Sequence, residues 1–134
     1  MQGGVLVDSN VVLDILTNDS QWSAWSSQAL EDAAERGPIV INPVIYTELS
    51  IRFERIEELD EAMAEFLYLD IPKAACFLAG KCFLKYRRGG GTKTSPLPDF
   101  FIGAHAMITG LSLLTRDPKR YRTNFPKLAV IAPE

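Results

Sequence analysis

Histidine is almost absent from this chain of 134 residues, His105 being the single one, and cysteine occurs only at Cys76 and Cys82. One imidazole without a His or Cys partner makes a poor zinc site, so His105, inside an apolar helical stretch, reads as a packed or partly exposed side chain. The two cysteines, six positions apart among apolar neighbours, fall on different faces of a helix and read as small core residues, not as a disulfide or zinc pair. A secretory signal is missing too: Met1-Gln2-Gly3-Gly4 has neither a basic start nor a long apolar core. The most apolar stretch, Phe100 to Leu114, is interrupted by His105, Thr109 and Ser112 and is too short to span a bilayer. These absences give the expectation of a soluble, cytoplasmic protein without a membrane partner. An excess of positive charge is also lacking. The net charge is -3, which argues against bulk electrostatic attraction to nucleic acid.

What is present is an ordinary globular mixture, 47% hydrophobic and 23% charged, of a length that fits one domain over residues 1–134 and needs no disulfide or structural metal to fold. Charge is unevenly spread. Acids crowd Glu54 to Glu65, while bases crowd Lys85-Tyr86-Arg87-Arg88 and Lys119-Arg120-Tyr121-Arg122. Basic clusters on an acidic protein serve as a local phosphate-binding surface or as solvated helix ends.

Short apolar runs alternate with helix-period segments along the whole chain. Val5-Leu6-Val7 reads as a strand buried on both faces, followed by a helix from Asn10 to about Thr17. Asn18-Asp19-Ser20 breaks it, and Ser20 is placed to cap a helix over Gln21–Arg36. Ile39-Ile41 is a second strand. Asn42 caps the next helix with Pro43 at its first position, running from Val44 to about Phe53. A helix over Ile56–Phe66, a weak strand over Leu67–Leu69 and a long helix over Lys73–Arg88 follow. The glycines Gly89 to Gly91 and the residues to Ser95 read as a flexible loop, and no phosphate-loop pattern is matched. Pro96-Leu97-Pro98-Asp99 opens a helix through Thr109, whose Gly103, Ala104 and Ala106 permit close packing on a sheet. Gly110 stops it before strands Leu111–Leu114 and Leu128–Ile131. This alternation is the pattern of a parallel sheet covered on both faces.

In such sheets ligands bind outside the carboxyl ends of the strands. Asp8 and Asp117 each follow a buried strand closely, Asp99 opens an apolar helix, and Glu48 interrupts an otherwise apolar helix side. Each has a plain structural alternative: a helix cap for Asp8 and Asp99, a turn before Pro118 for Asp117, a half-exposed helix position for Glu48. Asp14 lies near the apolar side of the first helix and reads as a structural polar contact. A parallel sheet brings strand ends and the following helix starts to one edge, which would gather the four acids. Clustered carboxylates repel one another unless a cation neutralises them, and oxygen-only donors select hard cations, Mg²⁺ or Mn²⁺. Ser9, Asn10 and Thr115 supply neutral groups to orient such ligands. The chemistry indicated is metal-assisted phosphodiester hydrolysis, with Arg87, Arg88, Lys119 and Arg120 available for RNA phosphates.

Several short pieces, in order and spacing, carry a resemblance: Val7-Asp8-Ser9-Asn10-Val11-Val12-Leu13-Asp14, Tyr46-Thr47-Glu48-Leu49, Ala79-Gly80, Tyr86-Arg87-Arg88, Leu97-Pro98-Asp99-Phe100-Phe101-Ile102-Gly103-Ala104-His105-Ala106, Leu114-Thr115-Arg116-Asp117, and Phe125-Pro126 with Val130-Ile131-Ala132-Pro133. Together they resemble a PIN-domain ribonuclease of the VapC toxin type. The resemblance implies a three-layer α/β fold with a five-stranded parallel sheet in order 3-2-1-4-5. It implies Asp8, Glu48, Asp99 and Asp117 as the acidic, metal-binding site and Mg²⁺- or Mn²⁺-dependent cleavage of single-stranded or looped RNA. It also implies a homodimer and inhibition by an antitoxin protein from the same operon. The triple glycine is looser than that family pattern. The competing readings are a non-catalytic PIN-like RNA- or protein-binding module and a metal-dependent phosphatase of another α/β class. For the haloacid-dehalogenase type of phosphatase, the positions that need Asp and Thr hold Asn10 and Val12.

Overall fold

The computed structural model describes residues 3–93 and 97–134. Met1, Gln2 and Thr94 to Pro96, the last three expected in the loop and helix opening, lie outside the described residues. The elements run β1 (Val5–Val7), α1 (Ser9–Leu16), α2 (Ser23–Arg36), β2 (Ile39–Ile41), α3 (Pro43–Ser50), α4 (Ile56–Ala62), β3 (Leu67–Tyr68), α5 (Lys73–Arg88), α6 (Pro98–Thr109), β4 (Ser112–Leu114), α7 (Lys119–Asn124) and β5 (Val130–Ile131). The five strands form one parallel sheet in the order β3-β2-β1-β4-β5. The order reverses at β1. Right-handed crossovers therefore send α1 to α4 to one face and α5 to α7 to the other, giving three layers.

The central strands are apolar because both of their faces are covered. Val5, Leu6 and Val7 are buried beside Ile39, Val40 and Ile41 on one side and Leu113 and Leu114 on the other. The edges are short and open: Leu67 and Tyr68 of β3 are exposed. Among the described residues no helix is long and apolar enough to cross a membrane.

Local chemistry sets the helix ends. Asn42 caps α3, its Oδ1 accepting from the Ile45 N–H at 2.9 Å, with Pro43 at the first position. The same amide aims its Nδ2 at His105 Nδ1, 3.1 Å away. That arrangement fits a neutral imidazole, and burial lowers the His105 pKa. Gly110 ends α6 in the left-handed conformation at φ 73°, which glycine adopts without a Cβ penalty.

Four expectations are corrected. Asp19, not Ser20, closes the turn before α2: its Oδ1 accepts from the N–H groups of Gln21 and Trp22 at 2.9 and 2.8 Å, and the helix starts at Ser23, two residues after the expected Gln21. The α3 and α4 helices end at Ser50 and Ala62, short of Phe53 and Phe66. Cys76 is exposed on α5 and not a core residue, while Cys82 is half-buried, and both are free thiols. Gly103 makes room for Phe125, not for the sheet: a Cβ there would lie 2.3 Å from the Phe125 ring.

Replacing Gly103 with Ala is expected to destabilise the protein by about 1–3 kcal/mol through overpacking of the buried α6–Phe125 contact. Urea unfolding measures this, and Phe125→Leu in the same chain should recover part of the loss. An unchanged midpoint for Gly103→Ala would show that Phe125 moves aside freely.

Candidate functional site

Where the strand order reverses, between β1 and β4, the chain leaves the sheet edge at Asp8 and at Thr115. The Asp8 N–H still pairs with Leu114 O at 2.9 Å, so the residue is fixed by the sheet. It stands in the cap position of α1, yet its side chain caps nothing. Instead Asp8 Oδ2 accepts from Thr115 Oγ1 at 2.8 Å and from Tyr121 Oη at 3.1 Å. Its Oδ1 has no hydrogen bond among the described residues and is the oxygen left for the cleft.

The other acids reach this point from different elements. Asp99, in the first turn of α6, accepts from Tyr121 Oη at 3.1 Å through Oδ1 and from Arg120 Nη1 at 2.7 Å through Oδ2. The cap position there belongs to Leu97, so Asp99 is not a helix cap. Glu48 on α3 accepts from Ser9 Oγ at 2.9 Å through Oε1, which leaves Oε2 free. Asp117 lies more exposed in the β4–α7 connection, its N–H donating to Thr115 Oγ1 at 3.1 Å and its Oδ2 accepting from Asn10 Nδ2 at 3.3 Å. Asp8, Glu48, Asp99 and Asp117, with Ser9, Asn10, Lys119, Arg120 and Tyr121, line a single cleft of about 500 Å³. Each oxygen that a neutral neighbour engages orients its partner oxygen on the same carboxylate.

The electrostatics match this crowding. Burial first, then the charges of Asp99 and Glu48, push the Asp8 carboxyl up from 3.8 to about 6, against the pull of the Thr115 and Tyr121 hydroxyls. Burial and Asp99 also raise Glu48. Tyr121 has one proton for two carboxylates at equal distance, so one contact is unfavourable while both are ionised. Burial and these two anions raise the Tyr121 pKa far and keep its hydroxyl protonated. The four carboxylates, an oxygen-only donor set, fit a hard divalent cation in their chemistry. As the side chains stand, however, no group of three such residues among those described closes on one point. The expected convergence is met at the level of the cleft and not of a ligand shell. Like charges hold apart, and Tyr121 and Arg120 occupy the gap beside Asp99.

The PIN-domain family model matches residues 5–126. The chain belongs to that family. No curated protein sequence matches it. Among solved structures it is similar to VapBC2 from Rickettsia felis bound to a DNA fragment from their promoter, at 16% identity and TM-score 0.75, covering 98% of this chain and 99% of that one. It is also similar to VapBC-1 from nontypeable Haemophilus influenzae, at 16% identity and TM-score 0.74, covering 96% and 97%. A toxin–antitoxin complex from Klebsiella pneumoniae matches at 22% identity and TM-score 0.70, covering 97% and 98%. At these identities the likeness is one of fold.

Within this PIN domain the four acids and Ser9, Asn10 and Thr115 are gathered at one edge, as their positions after strands and at helix starts suggested. The basic residues divide. Lys119 and Arg120 line the cleft. Arg87 instead donates to the carbonyls of Lys93 and Gly91 at 2.8 and 3.4 Å, tying down the loop after α5, and neither it nor Arg88 lines the cleft. Asp14 is the structural contact it was read to be: buried, it takes Ser26 Oγ at 2.8 Å and both ends of Arg116, at 2.8 and 3.1 Å. Two residues were missed. Arg116 stands 5.5 Å over the Trp22 ring, and its N–H donates to Asn10 Oδ1, so it anchors the β4–α7 connection. Tyr121, buried between two acids, was hidden inside a run of bases. Its only cue was Phe125 four residues on, at the end of α7, which is buried as Tyr121 is.

An acid whose pKa is raised by folding favours the fold when protonated. The Asp8 contribution is full below about pH 3.8 and is lost as pH rises through about 6. Chelator-treated protein is therefore expected to gain stability from this group between pH 7.5 and pH 5, about 1.4 kcal/mol, since pH 5 lies one unit below the raised pKa. Asp8→Asn should melt higher than wild type at pH 7.5 and lose most of that pH dependence. Thermal unfolding at both pH values measures it, and identical pH profiles for the two proteins would show that Asp8 ionises without penalty.

Proposed function

We propose that this PIN domain is a metal-dependent endoribonuclease that hydrolyses RNA phosphodiester bonds, acting as the toxin of a toxin–antitoxin pair. The observation that carries the reading is the cleft at the β1–β4 reversal, which Asp8, Glu48, Asp99 and Asp117 all line. The solved structures of similar fold, VapBC complexes and a toxin–antitoxin complex, support the pairing with a cognate antitoxin. An RNA substrate accords with a cytoplasmic setting, and a homodimer belongs to the same reading.

Asp8, Glu48, Asp99 and Asp117 would hold Mg²⁺ or Mn²⁺. When bound, the ion supplies Lewis acidity for activating water and neutralising charge on the phosphodiester. The protein's own share is orientation. Thr115 and Tyr121 engage Asp8 Oδ2 and leave Oδ1 toward the cleft. Ser9 does the same for Glu48, and Asn10 steadies Asp117. Lys119 and Arg120 at the rim attract RNA phosphates. Arg120 has a second task, since it neutralises Asp99 until another cation does.

Purified protein incubated with total RNA is expected to cleave with Mg²⁺ or Mn²⁺ and not after chelation. Asp99→Asn should lose more than about 100-fold of that activity. Its melting temperature without metal should stay at or above wild type, because an exposed ion pair with Arg120 is worth under about 1 kcal/mol and one crowded charge is gone. Asp14→Asn should behave in the opposite way. It costs on the order of 1–3 kcal/mol of stability by breaking the Arg116 pair, while the folded variant keeps cleavage within about tenfold. Cleavage by Asp99→Asn at the wild-type rate would remove Asp99 from the site.

A further inference from the structure

Beside the acidic cleft lies a second hollow of about 580 Å³, within the range of small-molecule sites. The two share Asp99, Lys119 and Arg120, so they are one continuous surface. Its apolar wall is formed by Tyr86 and Leu97, backed by the buried Phe100, whose ring sits edge to face with that of Tyr86 at 5.7 Å between centroids. Gly91 lies so close to the Tyr86 ring that a Cβ would come within 2.3 Å of it. The Tyr86 hydroxyl accepts from the Lys93 N–H at 3.3 Å, and Arg87 holds the carbonyls of Gly91 and Lys93. Gly91 thus backs the Tyr86 ring.

Thr123 and Asn124, at the end of α7, line the same hollow. Thr123 Oγ1 spends its proton on Lys119 O and keeps lone pairs free. The Asn124 amide has no hydrogen-bond partner among the described residues and offers a donor and an acceptor together. Lys93 and Lys119 have no acidic partner among the described residues and stand at the rim.

Aromatic wall, adjacent amide edge and cationic rim are the three features that recognise, in turn, the face, the edge and the phosphate of an unstacked nucleotide. We propose, resting on the ribonuclease reading above, that this hollow takes the base of a single-stranded RNA nucleotide next to the cleaved bond. Asn124 reads the edge of that base and so sets the sequence preference of the cut.

The test uses the full chain, a randomised single-stranded RNA pool with sequenced cleavage ends, and a photoreactive RNA carrying 5-iodouracil. Wild type should prefer one base type at a fixed position beside the cut. Asn124→Ala should flatten that preference about tenfold or more, while its Mn²⁺-induced melting shift stays at the wild-type value. The photoreactive RNA bound to the inactive Asp8→Asn protein should crosslink at Tyr86. A wild-type preference retained by Asn124→Ala, a wild type with no preference, or crosslinks confined to other elements would each overturn the subsite and leave the ribonuclease standing. A wild type that cleaves no RNA at all would overturn both.

Discussion

Carboxylates of like charge face one hollow, and the sheet gives them no freedom to retreat. Asp8 is tied to β4 through its own backbone N–H, and it is almost fully buried. The repulsion is met by hydrogen. Thr115 and Tyr121 donate hydrogen bonds to Asp8, Ser9 donates one to Glu48, and Arg120 lends its charge to Asp99. Each device has a cost. A raised Asp8 pKa means that the ionised acid weakens the fold near neutral pH. A protein that keeps such a group at the end of its central strand holds stability in reserve for whatever neutralises it.

This constraint accounts for α7 and the loop before it. The short helix has no long amphipathic face of its own. It is fastened at one end by the Arg116–Asp14 pair and at the other by Phe125 set against Gly103. Between these anchors Tyr121 is driven under the cleft and Arg120 over its rim. The same helix presents Lys119, Thr123 and Asn124 to the neighbouring hollow. The six residues of α7 thus contribute both to the charge control of the acids and to the lining of the adjoining pocket.

The central sheet was legible because Val5–Val7 and Ile39–Ile41 are apolar on both faces, which few other environments reward. Punctuation at Asn42-Pro43 and Gly110 was equally plain. The acids could be found because strand ends are where a parallel sheet exposes side chains. What escaped was non-local or short. Nothing in the sequence around Asp14 names Arg116, 102 positions away. A helix of six residues is too brief to show a period, so α7 read only as charge and Tyr121 went unseen. Proximity of four acids was inferable from topology. That they stay apart, with Arg120 standing on Asp99, depends on side-chain packing that no pattern of residues encodes. Arg87 was read as a free cation because the carbonyls it holds belong to a glycine-rich loop with no regular structure.

The central claim is that this cleft is a cation site organised by Asp8. Titration of Mn²⁺ into chelator-treated protein, followed by calorimetry, tests it without any substrate. The account predicts saturable binding by the wild type, strong weakening by Asp8→Asn, and retention by folded Asp14→Asn. A wild type that shows no saturable binding at millimolar Mn²⁺, or an Asp8→Asn variant that binds as the wild type does, would contradict it.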